Sequence, residues 1–403
     1  MLRRLVKMAA ENAAKRLKTG GDSTSTITIG THNGHFHADE ALAVYMLRQL
    51  PEYAGAALVR TRDPAALERC HTVVDVGGQY DAARHRYDHH QRTFDTKFPG
   101  RDATRLSSAG LIWLHFGRSI IARRLAELNR EWNKNNNNTD NESQGDDAKE
   151  KEEDAPDVSI LFNKFYQSFV EPVDANDNGV AVYDPELLAA AGAEPRYRPA
   201  GYTLGAMVGR LNPAWNDPVP TEPAAAQAYE DARFERASAR IGEEFSRALD
   251  YLAGAWLPAR AIVAKAYAAR HRWDPSGRVM VFEGQSVPWK DHLYDLEEEE
   301  EKKEGQGQVL YVLYPENPQP DAKWRVQAVP ITSDSFQSRK PLPAPWRAVR
   351  DAKLDEVAAL AHPGGVFVHA GGFIGGHNTF DGAREMATKA CDFVEPAAAS
   401  SSS

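Results

Sequence analysis

Asp88-His89-His90 sets a carboxylate beside two imidazoles, directly after Arg86-Tyr87. Upstream stand His35-Phe36-His37-Ala38-Asp39 and the apolar run Val73-Val74-Asp75-Val76-Gly77-Gly78. Eight of the 13 histidines fall between His32 and His115. Carboxylate oxygens mixed with imidazole nitrogens form the donor set of hydrolytic divalent-metal centres. Asp75, facing His35, Asp39 and His89, supplies that mixture, and a carboxylate so placed can bridge two ions ~3.5–4 Å apart. Imidazoles favour manganese or zinc over an all-oxygen magnesium cage. Mn2+ is the expected ion, with Mg2+ or Zn2+ as alternatives.

Each piece has a plainer reading when taken alone. His32, His85 and His115 read as surface or hydrogen-bonded histidines. An aspartate ending a strand, as Asp75 does, is often a turn residue, and His37 could orient a neighbour instead of binding metal. The combination of His-x-His-x-Asp, Asp-Val-Gly-Gly and Asp-His-His in one stretch is what points to metal.

The elements that must position these residues alternate. Thr26 to Thr31 reads as a short buried strand. Leu42, Ala43, Met46, Leu47 and Leu50 then recur at helical spacing over Asp39 to Leu50. Ala57 to Thr61 and Thr72 to Val76 read as further strands, with a short helix from Pro64 between them. Such alternation predicts a parallel sheet covered by helices, whose functional loops gather at the strand carboxyl ends. Ser107-Ser108 opens another apolar helix, where the serines either cap it or leave its positive end facing an anion. Leu161 to Phe169 resumes a helix, and Asp174-Ala175-Asn176-Asp177-Asn178-Gly179 adds carboxylates. Phe234, Ala237, Ile241, Phe245, Leu249 and Leu252 form a helical stripe, expected to pack between two domains. Strands are expected at Ala261–Ala264, Val279–Phe282, Val309–Tyr314 and Trp324–Pro330, with the run Glu297–Glu304 as an exposed loop.

With 403 residues the chain is long enough for two or three domains. Its 42% hydrophobic and 26% charged content are those of a globular protein, and no apolar stretch approaches the ~20 residues that span a bilayer. Two cysteines, Cys70 and Cys391, exclude a disulfide framework and a cysteine-built zinc site. The net charge of −9 is concentrated: residues 140–157 hold nine acids against two lysines, and residues 297–304 six glutamates against two lysines. The remaining chain is near neutrality, so attraction to phosphate must be local. The basic N-terminus, with Arg3, Arg4, Lys7, Lys15, Arg16 and Lys18, reads as a mitochondrial transit peptide, a nuclear-import signal or an untargeted tail. Asn135 to Asp157 is low in complexity and expected to be disordered.

These residues carry a resemblance. Asp88-His89-His90, preceded by an isolated strand aspartate and an N-terminal His-x-x-x-Asp, is similar to the DHH phosphoesterase superfamily. More closely, Gly30 to Glu40 and Tyr87-Asp88-His89-His90-Gln91-Arg92 resemble the melanocyte-proliferating-gene exonuclease family. Asp174 to Gly179 and Gly371-Gly372-Phe373-Ile374-Gly375-Gly376-His377 extend the match to about residues 26–395. The resemblance implies an α/β fold: a parallel-sheet DHH-type phosphoesterase domain plus a second, smaller α/β domain, with the active site in the cleft between them. It further implies a 3′-to-5′ exonuclease that acts on single-stranded RNA ends through metal-activated water, in mitochondria and in the nucleus or nucleolus.

Carried over residue by residue, His35 and Asp39 would hold one metal, Asp75 would bridge, His89 would bind the second metal and His90 would face phosphate. Asp177 matches the fourth-motif aspartate, with Asp174 as the fallback. Gly375-Gly376 would let backbone N–H groups approach an anion, and His377 would contact the phosphate or ribose; the plainer reading is a tight turn. Arg92 would clamp phosphate or form a surface ion pair. One position departs from the superfamily pattern His-x-x-x-Asp-x-Asp: residue 41 is alanine, and Glu40 beside it would leave the backbone in another direction. His37 could compensate.

The expected layout is a basic tail over 1–25, the phosphoesterase domain over 26–230 with its insertion at 135–157, and a linking helix over 231–257. A substrate-binding domain over 258–395, with an acidic loop at 297–307, and a disordered tail over 396–403 complete it. Two other functions fit the same residues: a small-molecule phosphohydrolase for pyrophosphate or dinucleotides, and a non-catalytic RNA-binding protein with a site degraded at Ala41.

Overall fold

The structure is a computed structural model that describes residues 27–135, 155–194, 201–301 and 308–395. The chain divides into two compact units at Leu249–Asp250. Both are mixed α/β, each with one five-stranded sheet. No helix among the described residues is long and apolar enough to cross a membrane. The basic N-terminal tail, most of the 135–157 insertion, residues 302–307 and the C-terminal tail lie outside the described residues.

In the first unit the strands are β1 (Thr28–Thr31), β2 (Ala57–Arg60), β3 (Thr72–Val74), β4 (Tyr80–Asp81) and β5 (Arg86–Tyr87), in the order β2-β1-β3-β5-β4. β1 runs parallel to β2 and β3, and β3 parallel to β5; only β4 is antiparallel. The helices are α1 (Ala38–Leu47), α2 (Pro64–Glu68), α3 (Ser108–Asn135), α4 (Pro156–Phe165), α5 (Glu171–Asp177), α6 (Pro185–Ala190), α7 (Leu204–Gly209) and α8 (Pro223–Tyr251). α1 is buried on nearly every side, because it lies among β3, α3 and α8. The stripe of α8 packs within this unit: Phe234 meets Phe36 edge-on, and Phe245 meets Trp113 and Phe165. Gly242 on α8 lies so close to the Tyr45 ring of α1 that a Cβ would overlap it.

The parallel sheet places three chain reversals side by side. β1, β3 and β5 are neighbours pointing the same way, and the residues that follow their last positions are His32, Asp75 and Asp88. Neighbouring strands lie ~4.8 Å apart, so these three side chains must come close together at one sheet edge. β3 ends at Val74, two residues earlier than the apolar run predicts, because Asp75 takes a left-handed conformation (φ +58°). Aspartate tolerates that region better than a β-branched residue would.

The second unit holds α9 (Leu257–Ala268), β6 (Val279–Val281), α10 (Lys290–Glu301), β7 (Tyr311–Pro315), β8 (Trp324–Ala328), α11 (Asp351–Val357), β9 (Gly365–Val368), β10 (Ile374–His377) and α12 (Phe380–Asp392). Its sheet order is β6-β7-β8-β10-β9, antiparallel except for β6 against β7. Alternate residues face opposite cores: Val279, Val281, Tyr311, Leu313 and Val326 pack with Leu354 and Met386, while Met280, Phe282 and Val312 pack with Val263 and Leu293.

Three sequence expectations are corrected here. Ala261–Ala264 is not a strand but the middle of α9, since the apolar run there extends at helical spacing through Ala266 and Tyr267. Glu297–Glu301 is not an exposed loop but the end of α10. Glu297 is buried, accepts the Val309 N–H and pairs with Arg339 at 2.6 Å; Glu300 faces Arg270 and the Tyr267 hydroxyl. Helical spacing turns part of an acidic run inward, where arginines meet it. Gly375-Gly376-His377 is neither a turn nor a loop but strand β10, in the interior of the sheet.

Candidate metal centre

The loops at the carboxyl end of the first sheet enclose a cavity of about 1010 Å³ lined by His32, His37, Asp39, Asp75, His89, His90 and Asp177, among others. Three groupings of donors have ligand atoms within 4.8 Å of one another: His32, His37, Glu40 and Asp75; Asp75, His89 and His90; and His37, Asp39 and Asp177. Asp75 belongs to two of them and His37 to two.

His32 Nε2 lies 3.2 Å from Glu40 Oε1 and 3.3 Å from Asp75 Oδ2. His89 Nε2 lies 3.1 Å from Asp177 Oδ2 and 3.4 Å from Asp75 Oδ1, close but poorly aligned for a hydrogen bond. Burial alone lowers the His32 pKa, but Asp75 and Glu40 outweigh it and hold it at about 10. In the same way burial opposes, and Asp177 and Asp75 impose, a His89 pKa of about 9. The reciprocal effect holds the Asp75 carboxyl far below the usual carboxylate range against the pull of burial, through His32 and His89. Two imidazolium protons thus supply positive charge between pairs of carboxylates.

Asp39 has no such partner. It is 0% exposed, and both carboxylate oxygens lack any hydrogen-bond donor. Burial and the charges of Asp75, Glu40 and Asp177 push its pKa well up. A buried carboxylate without a donor is costly unless a cation meets it. Glu40 Oε2 is likewise buried without a donor. The donor set therefore fits divalent cations: four acids and several imidazoles converge, and Asp39, both of whose oxygens lack donors, lines the same cavity as the histidines.

Asp88 plays a different part. Its carboxylate accepts the Gly78 N–H at 2.6 Å, the His90 N–H at 3.1 Å and His90 Nδ1 at 2.7 Å. Hydrogen bonding by His90 and Gly78 lowers its pKa against burial. Asp88 in turn raises the pKa of His90, whose side chain is 61% exposed and lines the cavity. The second histidine of the pair is thus an oriented imidazole facing open space, its charged form favoured by Asp88.

Asp174 and Asp177 separate cleanly. Asp174 is buried at the N-terminus of α3, where it accepts Ser107 N–H (3.0 Å), Ser107 Oγ–H (2.7 Å), Gly110 N–H (3.1 Å) and the Tyr166 hydroxyl (2.9 Å). The anion that this helix end faces is the chain's own carboxylate. Burial pushes Asp174 up to about 7 in spite of these bonds. Asp177 stands three residues on, in the cavity. Asp174→Ala is expected to destabilise the fold by about 3 kcal/mol or more while Mn2+ binding persists. Asp177→Ala is expected to keep the melting temperature within a few degrees and weaken Mn2+ by at least about tenfold. Thermal denaturation and calorimetric titration of both variants decide it; the reverse pattern would reassign the ligand.

Other positions differ from the sequence reading. His35 lines the cavity but is exposed, 5.5 Å ring to ring from His37, and joins none of the three donor groupings; the histidine beside Asp75 is His32. The signal for His32 was its position directly after a strand, the same relation that Asp75 and Asp88 hold. Glu40, one turn into α1, reaches back to accept the His37 N–H at 2.8 Å, which brings its carboxylate to His32. Ala41 is buried in the α1 core, and the nearby donors are His37 and Glu40, which group with His32 and Asp75. Also missed were the residues that hold the His32–His37 loop. Asn212 pairs with both Phe36 N–H (3.0 Å) and Phe36 O (2.8 Å), and Arg60 donates to Gly34 O at 2.8 Å.

Arg92 is exposed on the cavity wall. The second-unit residues are occupied by their own fold. Gly375 and Gly376 pair with β8 and β9, and a Cβ at Gly376 would overlap Arg325. His377 is fully buried, with Nε2 3.0 Å from His362 O and Nδ1 accepting the Thr379 N–H at 3.0 Å. These glycines are small because side chains cross them, not because their backbone is open to an anion.

A family model, MYG1_exonuc, described as "Uncharacterised protein family (UPF0160)", matches residues 28–391. The chain belongs to this MYG1 family. It is 45% identical to the MYG1 exonuclease of Mus musculus over 364 residues, covering 89% of this chain and 83% of the mouse protein. It is also 45% identical to the Homo sapiens MYG1 exonuclease over 364 residues, 89% and 84% of the two chains. The MYG1 protein C694.04c of Schizosaccharomyces pombe is 42% identical over 369 residues, 92% of this chain and 98% of its own. No solved structure matches the chain significantly. The MYG1 match takes in both units, and with them every residue of the three donor groupings.

Proposed function

We propose that this MYG1-family chain is a metal-dependent phosphodiesterase of DHH type that removes nucleotides from the 3′ ends of RNA. The observation that carries the reading is Asp39: a fully buried carboxylate without a donor, among three further acids and at least three imidazoles, at the mouth of a parallel sheet. The printed name of the mouse and human relatives, exonuclease, supplies the reaction class.

His32, His37, Glu40 and Asp75 would hold one ion, preferably Mn2+, and Asp39, Asp75, His89 and Asp177 a second. When bound, divalent ions supply electrophilic charge and lower the pKa of water beside a phosphoryl group. The chain's own contribution is orientation and proton placement. Asp75 fixes His32 and His89 from a strained backbone position. Asp88 favours the charged form of His90 and turns the ring toward the cavity, where it can bond a phosphoryl oxygen or, when protonated, give its proton to the departing ribose oxygen.

The test uses the purified full chain, stripped of metal and resupplied with Mn2+, Mg2+ or Zn2+. RNA and DNA labelled at either end are assayed beside pyrophosphate and dinucleotides. Stepwise release of mononucleotides from 3′ ends of RNA is expected, abolished by chelator. Metal-dependent cleavage of pyrophosphate or dinucleotides alone would move the substrate to small phosphates. Absence of any metal-dependent hydrolysis, with no metal bound, would leave a non-catalytic binding protein.

A further inference from the structure

The acids of the cavity lie deep, and its rim carries the opposite charge. Arg62, Arg92 and Arg105 all line it and all are exposed. They come from three separate loops: after β2, after Asp88-His89-His90, and before α3. Among the described residues, no carboxylate forms an ion pair with any of them, although the cavity they border holds four. Other arginines of the unit do pair with acids: Arg48 with Glu235, Arg84 with Glu68 and Arg101 with Glu171. Arg105 does no more than reach a carbonyl, Phe94 O at 3.4 Å.

The backbones that carry them are nevertheless fixed to the site. Thr61, before Arg62, donates its N–H to Thr31 O at 2.8 Å, beside His32. Gln91, before Arg92, donates Nε2–H to Asp88 O at 3.0 Å. Asn178, after Asp177, donates Nδ2–H to Arg105 O at 3.0 Å. Three guanidinium groups that meet no carboxylate among the described residues therefore extend from loops that are held in place relative to the candidate metal ligands.

We infer that Arg62, Arg92 and Arg105 form a phosphate-binding rim that holds the backbone of a single-stranded nucleic acid next to the cluster. Separate loops give separate anchor points, which suit the spaced phosphates of a strand better than one compact dianion. A cavity of about 1010 Å³ is at the upper limit of the ~300–1,000 Å³ usual for small-molecule sites, far larger than pyrophosphate needs. Guanidinium is the group of choice for bidentate contact with phosphate oxygens. The inference deepens the proposed function and rests on it for the identity of the strand, but binding can be read without catalysis.

The experiment measures fluorescence anisotropy of a labelled phosphorothioate oligoribonucleotide, which resists cleavage, on the full-length chain with Mn2+ over a series of salt concentrations. Arg62→Gln, Arg92→Gln, Arg105→Gln and the triple variant are compared with wild type, and unlabelled pyrophosphate is used as competitor. Each phosphate contact on a single strand contributes about 0.7 to the slope of log affinity against log salt. The wild-type slope should therefore fall by about 0.7 per arginine removed, and affinity by about tenfold per substitution. Pyrophosphate should displace the oligonucleotide poorly. An unchanged slope in the triple variant would overturn the rim, and efficient displacement by pyrophosphate would make it a small-anion site. Circular dichroism of the triple variant checks that these exposed substitutions leave the fold intact. Failure of the catalytic reading would show separately, as a wild-type chain that binds the strand but hydrolyses no phosphodiester with Mn2+.

Discussion

Asp75→Asn is expected to lower Mn2+-dependent hydrolysis by at least about a thousandfold, or ~4 kcal/mol in the barrier. Asn preserves the shape of the side chain and tolerates the left-handed backbone at this position, so the fold should survive. What is lost is the one charge shared by two donor groupings, 3.3 Å from His32 and 3.4 Å from His89. No neighbour can replace it: of the two histidines that Asp75 meets, Glu40 reaches only His32 and Asp177 only His89. Circular dichroism should match wild type while bound manganese, measured by elemental analysis, falls. Activity within tenfold of wild type would show that Asp75 is a turn residue and nothing more.

Metal uptake should expel protons. With His32 held at about 10 and His89 at about 9, both imidazoles are protonated near neutrality without a cation, and both must become neutral to act as ligands. Roughly two protons should be released at pH 7 when Mn2+ binds, and affinity should rise by about a hundredfold per pH unit in that range. Titration calorimetry in buffers of different ionisation enthalpy counts the protons directly; a count near zero would mean that these histidines are not ligands.

Stability of the metal-free chain gives the complementary sign. His32 and His89 have raised pKa values, so their contribution is fully present below the ordinary histidine value of 6.5 and is lost as pH rises through about 9 to 10. Asp39, also raised, contributes in the same sense: its stabilisation is present below 3.8 and is lost at higher pH. Asp75, lowered, contributes above 3.8 and loses that contribution as pH falls. The metal-free melting temperature should therefore decline between about pH 6.5 and pH 10. Manganese should remove that decline, because its charge replaces the protons.

Much of this was legible without coordinates. The strand-helix alternation from Thr26 to Val76 specified a parallel sheet, since apolar runs too short for helices were separated by helical periodicity. A parallel sheet in turn specified where chemistry belongs, at the carboxyl ends. Asp75, His89, His90 and Asp39 were readable as a set because four acid or imidazole side chains at strand and helix ends are hard to place otherwise. Less was legible where local composition and tertiary role part. The acidic run after Leu296 looks like solvated loop, yet Glu297 is buried against Arg339, a partner about forty residues away that no local pattern marks.

The choice between like residues was beyond sequence reasoning. His32 and His35 are equally good ligands by chemistry, and His35 has the family-like spacing to Asp39. His32 meets Asp75 because it directly follows β1, in line with Asp75 and Asp88, whereas His35 lines the same cavity from the exposed loop further on. Asp174 and Asp177 likewise differ by three positions on one helix, which points one at the amide groups of α3 and the other into the cavity. Gly375-Gly376-His377 reads as an anion loop until strand pairing consumes its backbone and its imidazole.

Asp88-His89-His90 shows the same division within three residues. Composition declared acid-imidazole chemistry there, because residue types carry their own donors and pKa values. Tertiary structure assigned the parts: Asp88 to hold His90, His89 to meet Asp75 and Asp177, and His90 to face the cavity. Those assignments depend on which strand ends lie side by side, and that is a property of sheet order, set by contacts distant in the chain.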